Sequence, residues 1–297
     1  MFPSFIPTAV QQLTESTSIA LAQSIEQIAI ATPLSSQSIL TTYVHKGSGS
    51  TPFLLIHGFD SSVLEYRHLL PLLAEHNETW AVDLLGFGFT DRPIGIKFGI
   101  TDIKTHLYYF WKTLIKQPVI LVGASMGGAA AIDFTLTYPE IVKKLVLIDS
   151  AGLASGSLLS KFMFPPLDYL ASQFLRSTKV RQSIIQSTFK NKSLASLDAL
   201  LCAGLHLECS NWNKAVIAFT KSGGYTAFRF KKLGEIRQST LILWGDSDNI
   251  LGTVDAKRFK RAIPNSKLIW IQNSGHVPHL EQPQLTAQHI LEFSQLS

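Results

Sequence analysis

The chain has 297 residues, of which 46% are hydrophobic and only 16% charged, so it can bury a large core and is not disordered. Its net charge of +5 is spread along the chain, in short groups such as Lys143-Lys144 and Lys231-Lys232. That spread carries no nucleic-acid signature and allows at most a weak attraction to anionic lipid or an anionic substrate.

Val10, Leu13, Thr17, Leu21, Ser24 and Ile28 recur at helical spacing and predict an amphipathic helix within an N-terminal helical extension, residues 1–35, that packs on the body or the cap rather than on a membrane. No Lys or Arg precedes Lys46, and no apolar run reaches 18 residues. The reading is therefore no signal or transit peptide, no membrane span and a cytoplasmic location. Ile39 to His45 reads as a strand. An alternation follows: strand Phe53–Ile56, helix Val63–Ala74, strand Thr79–Asp83, helix Thr101–Ile115, strand Val119–Val122, helix Met126–Thr137 and strand Leu145–Ile148. From about Leu153 to Leu233 strands vanish and helical stretches broken by Pro and Gly take over. Strand Leu241–Trp244, helix Val254–Ala262, strand Leu268–Ile271 and a last helix near Pro283–Leu296 complete the pattern. Strands alternating with helices predict a mostly parallel, doubly wound α/β sheet covered on both faces. Its core is 1–152 with 234–297, and 153–233 is an inserted helical cap.

The junction at Gly123-Ala124-Ser125-Met126-Gly127 carries the chemistry. A buried-type strand runs into a helix through a turn so tight that side chains at the flanking glycines would collide with it. Such a turn strains the serine backbone and lifts the Ser125 hydroxyl clear of the sheet. A hydroxyl needs a base, and the base needs a carboxylate to hold its tautomer. Two later strands end in Gly245-Asp246-Ser247-Asp248 and Gly275-His276-Val277-Pro278-His279. The order Ser125, Asp248, His276 differs from the orders of the chymotrypsin and subtilisin classes. Strand Phe53–Ile56 leads into His57-Gly58-Phe59-Asp60, where the Phe59 N–H can pair with that of Met126 as an oxyanion hole. Removing one such donor from other enzymes costs roughly 3–4 kcal/mol.

At these residues the chain resembles the α/β-hydrolase family over nearly its whole length. The matching pieces are His57-Gly58-Phe59, Asp83 to Gly88, Gly123 to Gly127, Gly245 to Asp248 and Gly275-His276. The stretch from His57 to Ser62 with Leu64-Glu65-Tyr66-Arg67 is similar to a branch found in cyanobacteria and plastids. The resemblance implies Ser125 as nucleophile, His276 as base, Asp248 as orienting acid, and a sheet bearing an inserted cap. It implies an esterase acting on a small to medium apolar molecule, with C–C bond hydrolysis of diketone-like compounds or a non-catalytic small-molecule receptor as alternatives. A serine at the elbow disfavours dehalogenase and epoxide-hydrolase chemistry, which in this family use an aspartate there.

Several residues have rival readings. Asp149, at the end of strand Leu145–Ile148, competes with Asp248, and His279 competes with His276 and otherwise reads as a loop or cap-facing polar residue. Asp60 reads as a turn or cap residue beside a Ser62/Glu65 capping box, and His57 as structural. Phe162, Trp212 and Tyr225 are the cap aromatics expected to line a substrate pocket. Gly86-Phe87-Gly88 lacks the third glycine of a nucleotide loop, no Cys/His cluster has metal-ligand spacing, and no cofactor is expected. Cys202 and Cys209, read on one helix, lie ~10 Å apart, beyond disulfide reach, so free thiols are expected.

Overall fold

The computed structural model describes residues 1–153, 167–225, 228 and 230–296, with backbone alone for Phe230 and Lys231. Eight strands form one sheet: β1 (Glu26–Ile30), β2 (Ile39–Lys46), β3 (Phe53–Ile56), β4 (Thr79–Val82), β5 (Val119–Ala124), β6 (Val142–Ile148), β7 (Ser239–Gly245) and β8 (Ser266–Ile271). Their order is β1-β2-β4-β3-β5-β6-β7-β8. The pairs β1/β2 and β2/β4 are antiparallel, and every pairing from β4 through β8 is parallel. The winding reverses at β3, whose neighbours are β4 on one side and β5 on the other. Ligand crevices in such sheets open at the carboxyl ends of the strands flanking that reversal. There β3 runs into His57 and β5 into Ser125.

Residues of β3 and β5 are buried on both faces, and their alternation splits them between two cores. Leu54, Ile56 and Leu121 pack with Ile103, Leu107, Phe110, Phe134 and Phe259 from helices on one side. Phe53, Leu55 and Val122 pack with Leu69, Leu73, Ile290 and Phe293 on the other. Each such side chain contributes about 1.5–3 kcal/mol when fully buried.

The structure corrects several expected elements. The single helix expected near the N-terminus is a 3-10 turn (Thr8–Gln12), a short helix (Ser16–Ala22) and then β1. The alternating stretch Gln27-Ile28-Ala29-Ile30 finds backbone partners on β2, and this pairing overrides its helical spacing. Val10, Leu13, Leu21 and Ile25 still face the second core. The expected helix Val63–Ala74 divides into a 3-10 turn (Val63–Tyr66) and a helix (Leu69–Ala74), because the Pro71 ring cannot sit inside a continuous helix. Ser62 Oγ accepts from the Leu64 N–H, but Glu65 turns to the Gly58 N–H rather than closing the expected capping box. The last turn of the expected helix Thr101–Ile115 widens to a π-helical turn, Trp111–Ile115. Cys202 lies on helix Leu197–Gly204 and Cys209 after the 3-10 turn Leu205–Glu208; both are free thiols.

The Gly86–Arg92 loop closes on itself. Asp83 accepts from the Val63 and Phe89 N–H groups, and the Arg92 guanidinium donates to the carbonyls of Gly86, Gly88 and Thr90. Between β6 and β7 the described residues form helices Leu167–Arg176, Thr178–Thr188, Leu197–Gly204, Trp212–Lys221 and Phe230–Leu233, and no strand. Among the described residues no helix is long and apolar enough to cross a membrane.

One buried imidazole makes the fold sensitive to acid. His106 is 1% exposed, its Nε2 lies 2.8 Å from Thr41 Oγ1, and burial lowers its pKa from 6.5 to about 4. The unfolded chain therefore binds this proton first. The contribution is complete above pH 6.5 and is lost as pH falls towards 4, by about 3 kcal/mol in all. Replacing His106 with Gln is expected to flatten that part of the stability profile. Urea denaturation from pH 7 to 4, compared between the two proteins, measures it.

Candidate active site

Ser125 sits between β5 and helix Met126–Thr137 with φ 51° and ψ −120°. Backbone there costs on the order of 1–3 kcal/mol and persists only because the surroundings enforce it. Two glycines supply that enforcement. A Cβ on Gly123 would collide with the Gly127 carbonyl oxygen, and one on Gly127 with the Ile56 carbonyl oxygen. Strand, turn and helix therefore pass closer together than any side chain permits.

His276 Nε2 is 2.9 Å from Ser125 Oγ, and its Nδ1 is 3.0 Å from Asp248 Oδ2. In the tautomer that donates from Nδ1 to the carboxylate, Nε2 presents a lone pair to the hydroxyl. Asp248 Oδ1 accepts from the Ile250 and Leu251 N–H groups at 2.7 and 3.1 Å. Burial pushes the Asp248 carboxyl up, but the His276 hydrogen bond and charge, with those two N–H groups, outweigh it and hold the pKa below the usual range. The His276 loop is fixed by Glu281, which accepts from the Gly275, Lys190 and Asn191 N–H groups. The His276 N–H donates to the Thr188 carbonyl at 2.8 Å.

Across the reversal point, His57 is fully buried. Its Nδ1 donates to the Gly58 carbonyl at 2.7 Å, and its Nε2 accepts from the Leu84 N–H at 3.1 Å. Burial lowers its pKa, so it stays neutral and holds the loop. Met126 is the first residue of its helix, where an N–H has no intrahelical partner. Among the described residues none accepts from the Phe59 or the Met126 N–H. Beside Ser125 and His276 a cavity of about 260 Å³ opens. Ile184, Ile185, Phe189 and Leu280 give it an apolar wall, and Asp60, Glu65, Arg181 and His279 a polar one.

Residues 51–283 match the family described as alpha/beta hydrolase fold. The chain belongs to the α/β-hydrolase family. It is 33% identical to the alpha/beta hydrolase domain-containing protein VTE7 of Arabidopsis thaliana, over 99% of this chain and 90% of that protein. It is 26% identical to the 2-hydroxy-6-oxo-2,4-heptadienoate hydrolase of Pseudomonas putida, over 82% of this chain and 88% of that one. A solved esterase from Thermogutta terrifontis shares the fold at a TM-score of 0.77 and 22% identity, over 91% of this chain and 98% of its own.

In this α/β-hydrolase the rival acid, Asp149, makes no hydrogen bond to His276. It is fully buried at φ 40° and accepts from the Gly245 N–H at 3.0 Å. Burial, then the neighbouring Asp248 charge, push its pKa well up. The rival histidine, His279, is 1% exposed, with Nε2 3.3 Å from Glu65 Oε1, and so is part of the cavity wall rather than a loop residue.

Neither Trp212 nor Tyr225 lines the cavity beside Ser125. Trp212 is 2% exposed, packs with Leu207 and Val216, and spends its indole N–H on Asp60. Tyr225 packs against Phe219 and the first core. Phe162 lies outside the described residues. The phenylalanines at the cavity are Phe59, on the oxyanion loop, and Phe189, with Ile184 and Ile185 before it. Ile184 and Ile185 show in the sequence only as an apolar pair in a mostly polar helix, Thr178–Thr188, with Phe189 just after it. Asp60 does stand in a turn, but a buried one: it is 5% exposed and its carboxylate is bonded to Arg181, His206 and Trp212. Nothing in the sequence near Asp60 marks those partners, which lie 121 to 152 residues away.

Proposed function

We propose that this protein is a serine hydrolase that cleaves a carboxylic ester of a small to medium apolar molecule through an acyl-enzyme. One observation carries the reading: the unbroken line from Asp248 through His276 to the Ser125 hydroxyl, ending at a cavity with an apolar wall. His276 takes the Ser125 proton as Oγ attacks the carbonyl carbon. The carbonyl oxygen becomes an oxyanion that the Phe59 and Met126 N–H groups receive. Asp248 stabilises the imidazolium. His276 then protonates the leaving alkoxide, the C–O bond breaks, and the acyl group stays on Oγ. A water molecule, deprotonated by His276, releases the acid and restores the serine. The segment 153–233 acts as the cap, its helix Thr178–Thr188 contributing the apolar wall.

C–C bond hydrolysis of a diketone-like compound is the second reading. It is favoured by the 26% identity to the Pseudomonas putida heptadienoate hydrolase, and the same three residues would run it. Three assays separate the readings: p-nitrophenyl esters from acetate to decanoate, a 2-hydroxy-6-oxo-dienoate, and labelling of Ser125 by a fluorophosphonate. Ester turnover with Ser125 labelled is the expected result. Turnover of the dienoate alone transfers the proposal to C–C cleavage. Ligand binding with neither turnover nor labelling means a receptor and overturns both.

A further inference from the structure

The peptide unit that offers the Phe59 N–H is held from both sides, by different parts of the molecule. On the core side its carbonyl, that of Gly58, accepts from His57 Nδ1 at 2.7 Å, and the preceding Gly58 N–H donates to Glu65 Oε2 at 2.9 Å. On the other side stands Asp60, at φ 50°, in the left-handed region that Asp enters more readily than most side chains. Its carboxylate is held by the insertion. The Arg181 guanidinium, on helix Thr178–Thr188, donates to Asp60 Oδ2. His206 Nε2, in the turn Leu205–Glu208, lies 3.0 Å from Oδ1, and Trp212 Nε1, at the start of helix Trp212–Lys221, donates to the same oxygen at 2.7 Å. Burial pushes the Asp60 carboxyl up, but these partners outweigh it and hold it well below the usual range. A buried carboxylate meeting three donors is charge-assisted and costly to undo one partner at a time.

We infer that Asp60 is a positioning residue: by binding three separate stretches of the insertion it fixes the loop that aims the Phe59 N–H, so the oxyanion site is complete only while the insertion is seated. The inference rests on the ester-hydrolase reading above. The tie grips the residue next to the oxyanion donor, so whatever displaces it moves the Phe59 N–H as well. The coupling has a functional use. The seated insertion supplies most of the apolar wall and steadies the donor loop through the same contacts.

The test uses the full chain, p-nitrophenyl butyrate, and an alkyl trifluoromethyl ketone. Ser125 Oγ adds to that ketone's carbonyl carbon, passing its proton to His276, and the resulting hemiketal oxyanion occupies the same N–H pair. Asp60→Asn and Asp60→Ala are expected to lower kcat by about 30- to 100-fold with KM within about threefold, because misplacing one donor is felt in the transition state and hardly in the ground state. Affinity for the trifluoromethyl ketone should fall by the same factor as kcat. Trp212→Phe, which removes one of three donors, should lose about fivefold. A folded Asp60→Ala protein with wild-type kcat overturns the inference. So does one whose KM rises while kcat and ketone affinity hold. Should Asp60→Ala not fold, the Trp212→Phe/Arg181→Met double variant decides, and unchanged kcat in that folded protein is the overturning result. Wild-type protein that neither turns over esters nor labels at Ser125 refutes the ester-hydrolase reading itself, whereas an active wild type with an equally active Asp60→Ala refutes only the positioning role.

Discussion

Ser125→Ala is expected to reduce kcat on p-nitrophenyl butyrate by at least about 10⁴-fold, some 5.5 kcal/mol of transition-state stabilisation. The size follows from the absence of a substitute. His276 Nε2 points at Ser125 Oγ at 2.9 Å, while Ser61, Thr188 and Cys202, the other hydroxyl and thiol groups at the cavity, make no hydrogen bond to it. Burial also raises the Cys202 pKa, which keeps that thiol protonated and a poor nucleophile. The variant should keep its fold. Alanine at φ 51° bears the same backbone cost as serine, and Gly123 and Gly127 impose the turn regardless. KM should move little, since the Oγ atom contributes small area to an apolar cavity. Some activity from the oxyanion donors and the binding wall would remain. Steady-state kinetics beside a melting curve tests both halves, and a folded Ser125→Ala protein within tenfold of wild type rules the nucleophile out.

The parts of this molecule legible in its sequence are those whose physics is local. Helix Met126–Thr137 and helix Val254–Ala262 have the expected limits, because the elbow turn starts the first and a local amphipathic period with Ala256 and Phe259 inward marks the second. The parallel strands show as short buried runs for the same reason, and the elbow glycines announce a close approach that the backbone then makes. Where partners are distant the signal disappears. β1 reads as the end of a helix until β2 pairs with it, since edge pairing depends on a segment further along the chain. Glu281 looks like an ordinary helix residue, yet its carboxylate holds the His276 loop by N–H groups 6 and 91 residues away. Trp212 illustrates the same limit from the other direction. A large aromatic in an insertion suggests a pocket wall, but its polar N–H found Asp60, 152 residues away, and a buried indole goes where that hydrogen bond is.

Asp248→Asn should cost about 10⁴-fold in kcat, and Asp149→Asn about tenfold or less, although the two carboxyls are neighbours. The difference is one of charge state. Asp248 is the group bonded to His276 Nδ1, and its pKa is held low, so it meets the imidazolium as an anion. An amide there removes the negative charge and presents an N–H that favours the wrong imidazole tautomer, leaving Nε2 without a lone pair for the hydroxyl. Asp149 is pushed far up by burial and by Asp248 itself, which favours its protonated form. A neutral acid and an amide are close in shape and equally uncharged. The amide oxygen of the Asp149→Asn variant could still accept from the Gly245 N–H that Asp149 Oδ1 holds at 3.0 Å. Kinetics of both single variants and the double variant separate the roles. If Asp149→Asn proves as damaging as Asp248→Asn in folded protein, the buried acid is itself charged during turnover. If Asp248→Asn retains more than a tenth of the activity while the double variant has none, Asp149 takes over as the acid that steadies His276.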